Sequence, residues 1–97
     1  MSTYVILARF TDQGIRSVKE TTKRADALKE MVKRFGGTIN LIYWTLGHYD
    51  LVTVVDAPDD ASLTALLLSI GAQGNVRTEA LRAFSADEIG KILAKTV

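Results

Sequence analysis

The chain is 97 residues long, enough for one domain with one modest core. Its 12 Lys and Arg residues stand against 11 Asp and Glu, and the resulting net charge of +1 is spread out, which argues against the one-signed patch of a nucleic-acid binder. There is no cysteine, so disulfides, thiol redox chemistry and cysteine metal sites are excluded.

Residues 1–97 read as a single domain, since no repeat, linker or low-complexity segment interrupts them. The opening MSTYVILARF has neither a basic leader nor a long apolar run. No stretch approaches the ~18–20 apolar residues of a membrane span. A cytoplasmic protein with no membrane or nucleic-acid partner is therefore expected.

Thr3 to Phe10 is rich in β-branched and aromatic residues, with Tyr4, Ile6, Ala8 and Phe10 at one parity and Val5 and Leu7 at the other. A strand apolar on both faces is covered on both faces. Thr11-Asp12-Gln13-Gly14 breaks the alternation. Ile15, Val18, Thr22, Ala25, Leu28, Val32 and Phe35 then recur at helical spacing. Glu20-Thr21-Thr22 is weak in helix propensity, which predicts a short helix, a break at 20–22 capped by threonine, and a main helix ending at Gly36-Gly37. The basic residues between Lys19 and Arg34 are interspersed with Glu20, Asp26 and Glu30, as on a solvated helix face.

Thr38 to Leu46 and Tyr49 to Asp56 form two further strands, joined through Gly47-His48 as a two-residue hairpin. That register pairs Leu46 with Tyr49, Trp44 with Leu51, Ile42 with Thr53, Tyr43 with Val52 and Leu41 with Val54. Pro58 marks a turn, and Asp59-Asp60 opens a helix with stripe Leu63, Leu66, Leu67 and Ile70. Asn75 to Phe84 is the fourth strand. Ser85-Ala86-Asp87-Glu88 is a capping box for a last helix, flanked by Phe84 and Ile89 as a hydrophobic staple.

The predicted fold is α+β: a ferredoxin-like split βαβ with a four-stranded antiparallel sheet and a C-terminal helix. Two helices cover one face of such a sheet. The other face, expected to carry Trp44, Tyr49, Leu51 and Val55, would be an open apolar patch unless a second copy covers it. Leu41, Tyr43, Val52 and Val54 are then expected under the helices.

Three segments carry a family resemblance. Gly47-His48-Tyr49-Asp50 after Tyr43-Trp44-Thr45-Leu46 resembles the Gly-x-Tyr-Asp hairpin of the GYD domain family. Thr11-Asp12-Gln13-Gly14 resembles that family's opening, and Asn75-Val76-Arg77-Thr78-Glu79 through Leu81-Arg82-Ala83-Phe84 its fourth strand. The resemblance implies a dimeric α+β barrel, in which two sheets pack face to face and a cavity lies between sheet and helices. Relatives of that wider group include cofactor-independent monooxygenases, haem-degrading enzymes, isomerases and effector-binding domains of regulators. The GYD family itself implies no assigned reaction, and fold alone transfers none.

Chemistry-bearing residues are few. His48 is the sole imidazole and sits at a turn, where an exposed residue is the ordinary reading; one histidine without cysteine does not make a zinc site. Tyr49 and Asp50 alternate across a strand, so Asp50 is expected to accept local hydrogen bonds and not to act with Tyr49. Arg77 and Glu79 share a strand face, as ligands for a charged molecule or as an ion pair within or between subunits. Asp12 and Gln13 either contact a ligand or cap the helix. Tyr4, Phe10, Trp44 and Tyr49 either line an apolar pocket or serve packing.

The candidate ligand-binding residues are thus Asp12, Gln13, Trp44, Tyr49, Arg77 and Glu79. No catalytic residue is assigned, and no metal or cofactor is implied. The sequence supports a homo-oligomer that binds a small ligand, senses one or serves in assembly. The alternative is a cofactor-independent enzyme acting on a small apolar or aromatic compound.

Overall fold

The computed structural model describes all 97 residues. Strands β1 (Ser2–Phe10), β2 (Thr38–Trp44), β3 (Leu51–Ala57) and β4 (Val76–Ala83) form one antiparallel sheet in the order β2-β3-β1-β4. Helices α1 (Asp12–Arg16), α2 (Thr21–Arg34), α3 (Asp60–Ala72) and α4 (Ala86–Leu93) complete the chain, with a 3-10 turn at Val18–Glu20. This is the split βαβ arrangement, and α2 and α3 share one face of the sheet.

That face holds the core. Tyr4 and Ile6 from β1, Val55 and Ala57 from β3, Val32 from α2, and Leu63 and Leu66 from α3 form one buried cluster. The forward part of the predicted helical stripe, Ile15, Val18 and Thr22, stays exposed. The break comes where threonine weakens the helix, but no side chain caps α2; Glu20 is the residue before it. Thr21 lies inside the helix, and its hydroxyl accepts the Trp44 indole N–H at 3.0 Å instead. Arg24 bridges the break, donating to Gly14 O and Ser17 O at 3.2 Å and to Ser17 Oγ at 2.9 Å.

The α2 terminus is a Schellman motif. Gly36 has φ +83°, its N–H donates to Lys33 O, and Gly37 N–H donates to Val32 O. At the start of α3 the Asp59 carboxylate accepts Ser62 N–H at 2.7 Å. In α4 the capping box is complete: Glu88 N–H donates to Ser85 Oγ at 3.1 Å, and Ser85 N–H to Glu88 Oε1 at 2.9 Å.

Two sequence expectations need correction. First, Thr45–Asp50 is a six-residue loop and not a two-residue hairpin, so Leu46 and Tyr49 do not pair. The pairs Trp44–Leu51, Tyr43–Val52, Ile42–Thr53 and Leu41–Val54 are present as expected. Beyond Trp44–Leu51 one backbone bond persists, Thr45 N–H to Asp50 O, and Asp50 also holds β1: its N–H donates to Ala8 O, and its carboxylate takes Phe10 N–H, all at 2.8 Å.

Second, the two strand faces are exchanged, and of the residues expected on the open face only Tyr49, in the loop, lies there. Val55 is in the core, and Trp44 reaches Thr21 on the helix side. Leu41, Tyr43, Val52 and Val54 lie on the opposite, open face. Asn40 is the extra residue of a β-bulge between Ile39 and Leu41. It puts Ile39 beside Val55 and Leu41 beside Val54.

Two outcomes follow for stability. A Cβ at buried Gly14 would come within 1.9 Å of Asn75 O, a backbone atom. Gly14→Ala is expected to destabilise the fold by about 1–3 kcal/mol or more, measured by denaturant unfolding. Ser85→Ala should loosen α4 by about 0.5–2 kcal/mol, seen as faster amide exchange at Ile89–Leu93. A double-mutant cycle with Glu88→Ala should show coupling; strict additivity would refute the box.

Candidate functional site

The open face is built by strand alternation. Thr3, Val5, Leu7 and Arg9 on β1 stand beside Val52, Val54 and Asp56 on β3, Leu41 and Tyr43 on β2, and Arg77, Glu79 and Leu81 on β4. Its centre is apolar. Val5, Leu7, Leu41, Val52 and Val54 are half-buried with no helix above them, while Tyr43 is 64% and Leu81 50% exposed. Helix α4 also leaves Ile89, Ile92 and Leu93 exposed, as is Phe84 before it.

Polar groups close both ends of the strip. At one end Asp56 accepts Thr3 Oγ1–H at 2.6 Å and an Asn40 amide N–H at 3.0 Å. These bonds, the Thr3 one foremost, hold its carboxyl below the usual range. At the other end the Tyr49 hydroxyl donates to Glu79 Oε2 at 3.0 Å. That bond raises the Tyr49 pKa above its ordinary value, reinforced by desolvation and the Glu79 charge. The Arg9 guanidinium lies 5.6 Å from the centre of the Tyr49 ring. Arg9 Nη1 is 2.9 Å from His48 Nε2. Guanidinium can only donate, so this contact assigns the His48 proton to Nδ1. Arg77 stands directly across from Arg9, a like-charge pair, and neither arginine has an ion pair within the chain.

The other expected site residues lie elsewhere. Asp12 is exposed in the first turn of α1. Gln13 ties α1 to the turn before β4, donating to Gln73 O at 3.0 Å and Asn75 Oδ1 at 2.9 Å. Trp44 is on the helix side of edge strand β2. The structure therefore gathers Tyr49, Arg77 and Glu79 on the open face and separates Asp12, Gln13 and Trp44 from them.

A second surface lies between α2, α3 and the sheet. It is a cleft of about 100 Å³, floored by Ile6, Ala8 and Thr53 and walled by Leu28 and Ile70. Arg24, Gln73, Asn75 and Thr78 are among its polar lining. Sequence reasoning singled out neither these residues nor Arg9. Strand parity could have marked Arg9, beside Val5 and Leu7, and Thr78, opposite in parity to Arg77 and Glu79.

Comparison with known proteins gives a consistent picture. The GYD domain model matches residues 4–93. A protein of Thermus thermophilus, named glutamine synthetase and cystathionine beta-lyase binding protein, is 32% identical over 94 residues. The match spans 95% of this chain and 99% of that protein. The crystal structure of TTHA0845, also from Thermus thermophilus, aligns with a TM-score of 0.57 at 30% identity, covering 89% of this chain and 96% of that one. The crystal structure of FFRP-DM1 aligns with a TM-score of 0.60 at 22% identity, covering 87% and 100%, and shows likeness of fold.

The open-face cluster has a pH signature. A tyrosine whose folded pKa is raised contributes stability that is present below its ordinary value near ~10 and lost as pH rises through the folded value. Glu79→Ala is expected to shift Tyr49 ionisation to lower pH, read as phenolate absorbance in the difference between variant and wild type. An unchanged titration would show that the Tyr49–Glu79 bond does not hold in solution.

Proposed function

We propose that this chain, which belongs to the GYD domain family, is a homo-oligomeric assembly module: one sheet face joins a second copy, and the assembly so formed engages another protein. The observation that carries this reading is the open sheet face, a continuous apolar strip with polar ends and no helix to cover it. A strip of this kind has the layout of an interface core with its rim. A second copy offers the same strip related by a two-fold axis.

Surface area supports the reading. The chain exposes 6421 Å², whereas a compact monomer of its mass exposes about 5,500 Å². The excess, roughly 900 Å², is close to the ~800 Å² each partner buries in a standard interface. The radius of gyration is 14.6 Å, against about 12.5 Å for a compact chain of this length.

The relative's name supports the second half of the proposal, since that protein is named for binding two enzymes. Glutamine synthetase and cystathionine beta-lyase are accordingly the first partners to test. The enzyme alternative needs ionisable groups converging on a cleft. Arg24 is the sole charged side chain lining the cleft here, and its guanidinium is already bonded to Gly14 and Ser17. The groups with shifted protonation, Tyr4, Tyr49, Asp56, Asp59 and Glu88, all lie outside it.

Sedimentation at micromolar concentration should show a dimer or a multiple of dimers. Val54→Asp places an unpaired charge at the centre of the strip and should weaken association by about 100-fold or more while the fold survives. Trp44→Ala, on the helix side, should lower stability while leaving the dimer's dissociation constant unchanged. A wild-type monomer, or dissociation by Trp44→Ala but not Val54→Asp, would overturn the proposal.

A further inference from the structure

Helix α4 is fixed at its base and left unpartnered along its length. The Ser85–Glu88 capping box closes its first turn. Arg82 holds the junction with β4. Its guanidinium lies 4.5 Å from the centre of the Phe84 ring, donates to Thr3 O at 3.2 Å and stands 3.9 Å from the Glu88 carboxylate. Beyond that base, α4 makes no extended contact with any strand or helix of its own chain. Ile89, Ile92 and Leu93 share one side of the helix, and all three are exposed. A helix of eight residues is marginal in water by itself. An apolar stripe stabilises it only when another surface covers that stripe.

The charges identify the surface. Glu88 already accepts Ser85 N–H and faces Arg82, so Asp87 is the carboxylate of α4 left without an ion pair. On the open face the complementary charge is Arg77, which stands across from Arg9 and has no ion pair either. The two cannot meet within one chain. Arg77 and Ala83 stand about 20 Å apart along extended β4, and α4 begins beyond Ala83. They can meet between two copies. Ala80, Ile6, Thr53 and Ile42 form one row across the middle of the sheet. A two-fold axis along that row, between facing sheets, reverses the strands of the second copy. Arg77 and Ala83 are equally far from Ala80 along β4. Ala83 of the second copy then lies over Arg77 of the first, with α4 immediately beyond it.

We infer that α4 is an exchanged arm: in the self-associated form it lies at the Arg77 end of the second copy, which covers the Ile89, Ile92 and Leu93 stripe, and Asp87 pairs with Arg77 across the two chains. The inference rests on the self-association proposed above and adds a contact outside the apolar strip. Two-fold symmetry makes that contact twice. A carboxylate brought to Arg77 also offsets its repulsion with Arg9 on the neighbouring strand.

The test is the dimer dissociation constant of the full chain, measured by sedimentation equilibrium for wild type, Asp87→Lys, Arg77→Glu and the two combined. Each single reversal should raise it about tenfold or more, because a surface pair worth a few-fold is lost at two symmetric contacts. The combined variant rebuilds the pair with its signs exchanged and should return to within about threefold of wild type. Ile92→Ser, at a side chain exposed in its own chain, should raise the constant about tenfold while the amide NMR spectrum stays that of a folded chain. Single reversals or an Ile92→Ser that leave the constant unchanged, or a combined variant as weak as additive singles, would overturn this inference and leave self-association standing. A monomeric wild type would overturn both.

Discussion

A four-stranded sheet has two faces, and this chain has two helices long enough to lie along one. That constraint organises the molecule. Tyr4, Ile6, Val55 and Ala57 meet Val32, Leu63 and Leu66 beneath α2 and α3, and this cluster is the buried core. Only 11 of the 97 residues are buried, so the core leaves much apolar surface unused. Some lines the cleft between the two helices, and some forms the strip on the open face. Both surfaces follow from one cause: the strands are apolar at both parities, while the helical cover is single.

The segments joining the elements are fixed by close backbone approach. Gly14 sits against the Asn75 carbonyl, and Thr11 Oγ1–H donates to Gly74 O at 2.5 Å. Gln13 completes this clamp through Gln73 and Asn75. Thr11, Gln13 and Gly14 therefore anchor the start of α1 to the turn before β4, which positions the polar end of the cleft. Asp50 does the corresponding work for β1 and the Thr45–Asp50 loop by accepting Phe10 N–H. Gly47, with φ +105° and open space around it, answers to a backbone need alone.

Much of this was legible in the sequence, and the failures have physical reasons. Element order, strand pairing from Leu41–Val54 to Trp44–Leu51, the helix break and the Ser85–Glu88 box all rest on local spacing, which a single sequence carries. The assignment of faces failed because apolar residues at both parities carry no direction. The charges did carry it. Arg9 shares parity with Val5 and Leu7, and Asp56 shares parity with Val52 and Val54. A face bearing these ions, together with Arg77 and Glu79, cannot lie under two helices without a desolvation cost for each. The loop length was not legible, because the Thr45–Asp50 segment is held by Thr45 bonding to Tyr49 O and Asp50 O and by Asp50 bonding to Phe10, about forty residues away in sequence. The cleft polar groups were missed because their convergence is a product of the packed helices.

The open face has one further property that sequence spacing alone does not convey. Its polar groups are bound before any partner arrives: Asp56 by Thr3 and Asn40, Glu79 by Tyr49, Arg9 by His48 and the Tyr49 ring. A polar group already hydrogen-bonded loses less when covered than one that must surrender water unpaired. The bonded groups sit at the two ends of the strip, and the apolar residues between them have no polar atom to desolvate beyond the Tyr43 hydroxyl. Covering the centre is therefore favourable and covering the ends is tolerable, but sliding a second sheet past either end would place apolar side chains over ions. Arg77 is the exception, since it faces Arg9 and makes no ion pair within the chain. It is the one charge on this face whose position gains from an acidic group brought by whatever covers the strip.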